Sequence, residues 1–164
     1  MVPKHIHCGT IMVIVIRLTM ALLEKQLVVK KSTLPGVGKG LFTKKIIPKG
    51  TRIVEYKGRI TPWKELSGKN FNRYIFYVKR DHVINASPYK KAVARFANDA
   101  KGLTKVKGIA NNSSYEQEGL QIFITATKDI AAGDEILVDY GKEYWDVVRY
   151  NSRIDRKKIK RNRP

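Results

Sequence analysis

The stretch DIAAGDEILVDYGKEYW, residues 129–145, contains the most informative pattern in the chain. An Ala-Gly turn at Ala132–Gly133 precedes a short apolar strand, which ends at Asp139, Tyr140 and Gly141. A buried tyrosine normally needs a hydrogen-bond partner for its hydroxyl group, and an adjacent glycine lets another backbone or a ligand come close. A phenol at a strand end beside a glycine is therefore unusual for a core position, and it indicates a functional site.

The composition indicates one globular domain with a strong positive charge. The chain has 164 residues, of which 43% are hydrophobic, enough for a core of its own. Its 33 Lys and Arg residues against 14 Asp and Glu residues give a net charge of +19. Two interpretations stay open, namely attraction to an anionic partner such as nucleic acid and a basic surface that is simply well solvated.

The single cysteine, Cys8, excludes a disulfide framework and a cysteine-built zinc site, and it fits a reducing compartment inside the cell. The apolar segment Ile11–Ile16 is interrupted by Arg17 and falls short of the roughly 20 residues that a membrane span requires. No small-residue cleavage site of a signal peptide follows it, and Met20 resembles a natural start. We therefore expect residues 1–19 to be an upstream extension that is not part of the native protein, with one domain at residues 20–148.

The body of the chain reads as short strands separated by glycine and proline turns. Such punctuation is typical of a β-rich α+β fold. The expected strands are 26–30, 41–43, 51–56, 74–78, 82–86, 120–127 and 136–139, with a hairpin joining 74–78 to 82–86 and a short helix or turn at 90–96.

Residues 149–164 form a basic C-terminal tail in which Asp155 is the one acidic residue. A frayed, disordered end is one interpretation of such a charge run. An electrostatic tether to DNA or RNA is the other.

Four motifs stand in a fixed order along the chain: GKGLF at 38–42, EYKG at 55–58, ARFAND at 94–99 and GDEILVDYG at 133–141. In sequence and in order they resemble the SET-domain protein lysine methyltransferases, over roughly Leu27 to Trp145. The resemblance implies a β-clip fold in which the asparagine-bearing and closing motifs thread together in a C-terminal pseudoknot. It also implies S-adenosylmethionine as methyl donor, the side chain of a protein lysine as acceptor, and no metal.

The resemblance also implies roles for individual residues. Tyr140 and Tyr56 would be catalytic. The lysine channel would be lined by Tyr56, Phe76, Val138, Tyr140 and Trp145. The cofactor would be bound by Gly38, Lys39, Gly40, Tyr74, Arg95, Phe96, Asn98 and Asp99. Taken singly, each has an ordinary alternative: the tyrosines could be core residues, and Asn98 could cap a turn.

The chain departs from the family pattern at several positions. Asp99 stands where the family usually has histidine, and the cysteine-rich zinc segment after the domain is missing. We expect Tyr144, Trp145 and Val147–Val148 to close the channel instead, as a short helix that packs back. Val138 stands where phenylalanine or tyrosine is frequent, and the extra room predicts that more than one methyl group can be added.

The sequence thus predicts a methyltransferase that acts on a basic, nucleic-acid-associated protein such as a histone-like protein. The alternative is a non-catalytic module that binds basic peptides or nucleic acid. A strongly positive enzyme would repel a basic substrate unless nucleic acid or an acidic groove, with Glu116 and Glu118 as candidates, mediates. We expect an intracellular protein without membrane attachment, in the cytoplasm or nucleoid if bacterial and otherwise in the nucleus, with its oligomeric state left open.

Overall fold

The computed structural model describes residues 22–66, 72–102 and 106–161, so the expected extension at 1–19 lies outside the described residues. Within these ranges the chain forms nine short strands, three 3-10 turns and one α-helix. The strands are β1 Leu27–Lys31, β2 Lys39–Thr43, β3 Arg52–Glu55, β4 Arg59–Thr61, β5 Ile75–Lys79, β6 His82–Asn85, β7 Ser113–Glu118, β8 Gln121–Ala126 and β9 Val138–Asp139. The 3-10 turns are Glu24–Gln26, Trp63–Glu65 and Val93–Phe96, and the helix is α1 Lys142–Arg161.

The strands form three small sheets with the orders β1-β2, β3-β8-β7-β9 and β4-β6-β5. All pairs are antiparallel except β7 with β9, which run parallel. The main hydrophobic core joins the sheets, and its buried members come from β2, β3, β6, β8 and the closing segment at residues 133–141; they include Leu41, Ile53, Ile84, Ile124 and Ile136. The β-rich α+β architecture that the strand pattern predicts is the one observed.

The closing segment, residues 133–141, is held between two other parts of the chain. On one side Leu137 bridges to Asn98 in parallel, and the Val138 backbone donates a 2.8 Å hydrogen bond to the Asn98 carbonyl oxygen. On the other side Val138 pairs with Ser113 of β7. Because β9 runs between residues 98 and 113, the asparagine-bearing and closing motifs are threaded together in the way that the resemblance implies.

Most of the expected strands are confirmed to within one or two residues, including the hairpin of β5 and β6 and the turn that ends at Phe96. Two strands, β4 and β7, were not expected. Of the two interpretations of the basic tail, the frayed end does not hold as far as Arg161, because α1 continues through it; the electrostatic tether stays a prediction. Ion pairs of Asp146 with Lys142 and Arg149, one turn apart, support the helix. In the described part of the chain, none of the helices has the length and apolar character needed to cross a membrane.

Candidate functional site

A cavity of about 590 Å³ opens beside the threaded segment. Its volume lies within the range of about 300–1,000 Å³ that is usual for small-molecule sites. Four parts of the chain line it: the loop 34–39, Arg73 with Tyr74, the group Arg95, Phe96, Asn98, Asp99 and Gly102, and the group Tyr140, Tyr144 and Trp145.

Seven of the eight residues predicted to bind the cofactor line this one cavity, namely Gly38, Lys39, Tyr74, Arg95, Phe96, Asn98 and Asp99. The eighth, Gly40, is not in the lining. A Cβ atom on Gly40 would lie 2.7 Å from Cδ of Glu135 and closer still to Oε1. A residue larger than glycine at position 40 would displace the Glu135 carboxylate. Gly40 therefore affects the site indirectly, by leaving room for Glu135.

The loop before β2 gives the cavity one wall of backbone. Gly38 has a φ of +85°, a conformation that residues with a Cβ rarely adopt, and its carbonyl oxygen accepts a 2.9 Å bond from the Ser32 backbone N–H. This bond closes the loop and fixes the position of its backbone against the cavity. The glycine turn thus lines the cavity with backbone held by its conformation, and its binding of a cofactor stays a prediction.

Asn98 and Glu135 tie this loop to the closing segment. The Asn98 side-chain amide donates to the Lys39 carbonyl oxygen at 2.9 Å and to Glu135 Oε1 at 3.1 Å. Glu135 also accepts bonds from Ser32 Oγ at 2.7 Å and from Thr33 Oγ1 at 2.6 Å. Asn98 is therefore a structural link between three segments, and its amide is already engaged within the protein.

Arg95 places a positive charge at the cavity wall. Its guanidinium lies over the rings of Tyr74 and Phe96, 5.0 Å and 4.8 Å from their centroids. Nη1 donates to the carbonyl oxygens of Ala86 and Ser87 at 3.0 Å and 2.9 Å, which anchors the end of β6. The buried Nε atom has no hydrogen-bond partner within the described structure, so one donor remains for a ligand or a water molecule.

A continuous row of aromatic rings runs from the cavity into the core. Trp145 stacks on Tyr140 at 6.0 Å, and Tyr140 stacks on Tyr115 at 6.3 Å. Tyr115 meets Phe76 edge to face at 4.8 Å, and Phe76 lies 5.7 Å from Tyr56. The row contains four of the five residues predicted for the lysine channel and adds Tyr115.

The fifth residue predicted for the channel, Val138, is fully buried in the main hydrophobic core and does not line the cavity. Tyr56 and Phe76 are also outside the cavity lining, as is Tyr115, which connects them to Tyr140 at the cavity wall. The effect of Val138 on the number of methyl groups stays a prediction.

Burial keeps the phenols of this row neutral. It raises the pKa of Tyr56 well above the ordinary value, although the charge of Arg95 acts in the opposite direction. It raises the pKa of Tyr140 and of Tyr115 in the same way, with smaller contributions from the neighbouring tyrosines. The Tyr140 hydroxyl donates a 2.7 Å bond to the Ala97 carbonyl oxygen, which satisfies its proton and leaves oxygen lone pairs to accept.

Gly141, next to Tyr140, has a φ of +86° and open space where a Cβ atom would lie. Glycine is therefore needed at this position for the turn from β9 into α1. The sequence suggested instead that another backbone comes close to Gly141, and this is not observed. The turn directs Tyr144 and Trp145 back over Tyr140, with Tyr144 at 4.9 Å from the Tyr140 ring centroid.

Tyr115, Arg73 and the loop 34–37 belong to the site but were not among the predicted site residues. Tyr115 lies on β7, whose sequence SSYEQE is too polar to read as a strand at first sight. A sign of its role was available, because inward Ser113 and Tyr115 alternate with outward Ser114 and Glu116. No group of three or more His, Cys, Asp or Glu side chains in the described part of the chain is placed to hold a metal ion.

Comparison with known proteins places these features in a family. The family model described as "SET domain" matches residues 38–141, more than half of the chain. N-lysine methyltransferase KMT5A-A of Danio rerio is 28% identical over 120 residues, which cover 65% of this chain. The chain spans about a third of the length of that relative, with 33% covered.

A solved structure shares the fold. The methyltransferase domain of human PR domain-containing protein 2 is similar to the chain with a TM-score of 0.54 and 23% sequence identity. The likeness covers 71% of this chain and 78% of the other. The SET fold that the motif order implies is therefore confirmed.

Proposed function

The chain belongs to the SET domain family, and we propose that it is an S-adenosylmethionine-dependent protein-lysine N-methyltransferase. The observation that carries the proposal is the row of aromatic rings that starts at the cavity wall with Trp145 and Tyr140 and continues through Tyr115. A cavity for a donor next to an aromatic channel for an amine is the arrangement that methyl transfer to lysine requires.

The residues that line the cavity fit the cofactor. The volume suits a nucleoside with an amino-acid side arm, the loop at Gly38 offers backbone groups, and the Arg95 Nε atom is a buried donor without a partner in the described structure. When bound, S-adenosylmethionine supplies a methyl group on a sulfonium, which is electrophilic without further activation. The work left to the protein is to align the acceptor, to exclude water and to favour its neutral form.

The channel favours a neutral lysine amine. An ordinary lysine has a pKa of about 10.4 and is an ammonium ion at neutral pH, which cannot attack. Burial among aromatic rings disfavours the charged form of the amine. The positive charge of Arg95 acts in the same direction, because it is close enough to the aromatic row to influence the pKa of Tyr56. The bond from the Tyr140 hydroxyl to the Ala97 carbonyl oxygen leaves lone pairs on the Tyr140 oxygen, and in this proposal they accept a hydrogen bond from the amine.

We propose further that the substrate is a basic protein associated with nucleic acid, and that the basic surface and tail contact DNA or RNA. The net charge of +19 supports this part of the proposal. So does α1, which packs on the domain through Trp145 in its first turn and presents Arg149 and Arg153 at exposed positions further along. Such a protein acts inside the cell, in the cytoplasm or nucleoid of a bacterium or in a nucleus.

Calorimetric titration with S-adenosylmethionine, followed by methylation of a whole-cell extract with labelled cofactor, tests the proposal. We expect saturable cofactor binding by the wild type and a labelled basic protein in the extract. Tyr140→Phe should bind the cofactor but lose roughly 10²-fold in rate, the size of effect seen when one transition-state hydrogen bond is removed. Tyr150→Phe is the matched control, because Tyr150 is exposed on α1 and should leave the rate unchanged.

The alternative is a non-catalytic SET module that binds basic peptides or nucleic acid. Binding of DNA without any binding of the cofactor would favour that alternative and refute the proposed activity.

A further inference from the structure

Asp99 lies beside the cavity as one of the few buried charged residues in the described part of the chain, with 5% of the residue exposed. Oδ2 accepts a 2.8 Å bond from the Tyr140 backbone N–H and a 2.7 Å bond from Nε1 of Trp145. Oδ1 accepts 2.7 Å bonds from the Lys101 backbone N–H and from Nδ2 of Asn111. A single side chain therefore joins its own loop to the closing motif and to helix α1.

These four bonds use the whole acceptor capacity of the group. A carboxylate has about four lone-pair sites, and Asp99 has a protein donor at each of four. No acceptor remains for a hydroxyl or an amine of a bound cofactor, although the residue lines the cavity. The resemblance placed Asp99 among the cofactor-binding residues, whereas its bonds assign it a different task.

Trp145 shows what that task is. The indole lies against Tyr140, and its Cη2 atom would be 3.2 Å from a Cβ atom on Gly102, so the ring is packed between the closing motif and the Asp99 loop. Tyr144 meets the indole edge to face at 5.0 Å. The first turn of α1 thereby forms one wall of the cavity, and the bond from Trp145 to Asp99 fixes the depth of that wall.

We propose that Asp99 is a positioning residue for methyl transfer, which acts through Tyr140 and Trp145 and not through contact with the cofactor. The proposal rests on the proposed function. Asp99 sets the backbone of the catalytic tyrosine and holds α1 against the site, where many members of the family use a separate zinc segment.

Asp99→Asn tests this in the full-length chain. The amide cannot accept on both sides, so at least two of the four donors lose their partner. The measurements are made at a temperature where circular dichroism shows every variant folded. We expect kcat to fall at least tenfold, which corresponds to about 1.4 kcal/mol. The calorimetric Kd for S-adenosylmethionine should change less than about threefold, because Asp99 does not contact the cofactor in this proposal. Asp81→Asn, the same change in the exposed turn between β5 and β6, should leave both values unaltered.

Trp145→Phe removes one donor and keeps an aromatic ring, so it remains informative if Asp99→Asn fails to fold. The two changes act on one bond, and the double variant should therefore lose no more activity than Asp99→Asn alone. Trp63→Phe is the matched tryptophan control, because Trp63 lies in the 3-10 turn Trp63–Glu65 against Tyr77 and outside the cavity lining. It also leaves Trp145 as the sole tryptophan, whose emission should change when Asp99→Asn is added.

Three results would overturn the proposal. The first is a tenfold weaker Kd with kcat preserved, which would make Asp99 a direct ligand. The second is unchanged kinetics in Asp99→Asn, and the third is full additivity with Trp145→Phe. If the wild type neither binds the cofactor nor transfers methyl groups, the proposed function fails separately. In that case an unchanged Trp145 emission in Asp99→Asn would contradict the hydrogen bond from Trp145 to Asp99.

Discussion

Gly40→Ala is the change that most directly tests the packing behind the site. Gly40 lies on β2 with an ordinary negative-φ conformation, so its backbone could accept alanine without strain. The obstacle is the Glu135 carboxylate, whose Cδ would be 2.7 Å from the new Cβ atom. A glutamate can usually swing away from such a clash, but this one is fixed by hydrogen bonds from Ser32, Thr33 and Asn98.

The expected loss follows from the bonds to the displaced oxygen. Oε1, which meets the methyl group, accepts from Ser32 Oγ and from the Asn98 amide. Hydrogen bonds to a charged group contribute about 1.5–3 kcal/mol each, so losing both costs about 3–6 kcal/mol. Replacing glycine by alanine on a compatible backbone returns about 0.4–1 kcal/mol through the unfolded state. The free energy of unfolding should therefore fall by about 2–6 kcal/mol, a large part of the roughly 5–15 kcal/mol typical of a domain.

Urea unfolding of four proteins measures this: the wild type, Gly40→Ala, Glu135→Ala and the double variant. Once the carboxylate is gone the methyl group has room, so Gly40→Ala should cost little in the Glu135→Ala background. Gly119→Ala is the control for backbone strain alone, because Gly119 has a φ of +60° and open space around it. A Gly40→Ala protein within about 0.5 kcal/mol of the wild type would refute the reasoning, since that is the scatter of ordinary surface substitutions.

Four further predictions concern the pH dependence of the rate, the pH dependence of stability, the number of methyl groups added and the charge of the tail. Because burial raises the pKa of Tyr56, Tyr115 and Tyr140, their phenols should stay neutral while a substrate lysine loses its proton, so the methylation rate should rise with pH up to about 10 without a falling limb. The same tyrosines ionise near pH 10 once unfolded, so folding stability should be full below that pH and decline above it. Alkaline titration of phenolate absorbance should include a cooperative step at the pH where the protein unfolds, because the buried phenols then ionise together. Mass spectrometry of the product should show more than one methyl group, as the valine at Val138 predicts, and a product that stops at monomethyl would contradict this. Deleting residues 149–164 should weaken DNA binding and reduce its salt dependence by about 0.9 in log–log slope for each lost phosphate contact, while calorimetric cofactor binding stays as in the wild type.

The strands could be predicted wherever their buried positions hold β-branched or other apolar residues. Thr51–Tyr56 is β-branched and apolar, and it forms β3 at Arg52–Glu55. β7 was missed because its inward residues are a serine and a tyrosine, which carry little of the hydrophobic signal. The helical course of residues 149–161 was missed because a basic run without a clear apolar face resembles a solvated end as much as a helix.

The grouping of the site residues could be predicted from motif order, whereas their tasks could not. The bonds that decide those tasks join residues far apart in the chain, such as Trp145 to Asp99 and Asn98 to the Lys39 carbonyl. Nothing in the local sequence around Asp99 indicates that all of its acceptor sites are filled by the protein. The same holds for Gly40, whose need to be glycine lies in a carboxylate on the closing segment.

A chain of charge +19 repels a basic substrate, and the structure limits the ways in which this repulsion can be overcome. Glu116 and Glu118 were candidates for an acidic groove, but both pair with Arg52, at 3.9 Å and 2.6 Å. The Arg52 guanidinium in turn lies 4.1 Å over the ring of Phe123, on the face of the sheet opposite to Tyr115 and the aromatic row. Because these acids are partly neutralised and lie on the outer face, they are poorly placed to draw a lysine towards Tyr140. A polyanion that binds enzyme and substrate together is the route that remains consistent with both charges, and the deletion of residues 149–164 is the experiment that bears on it most directly.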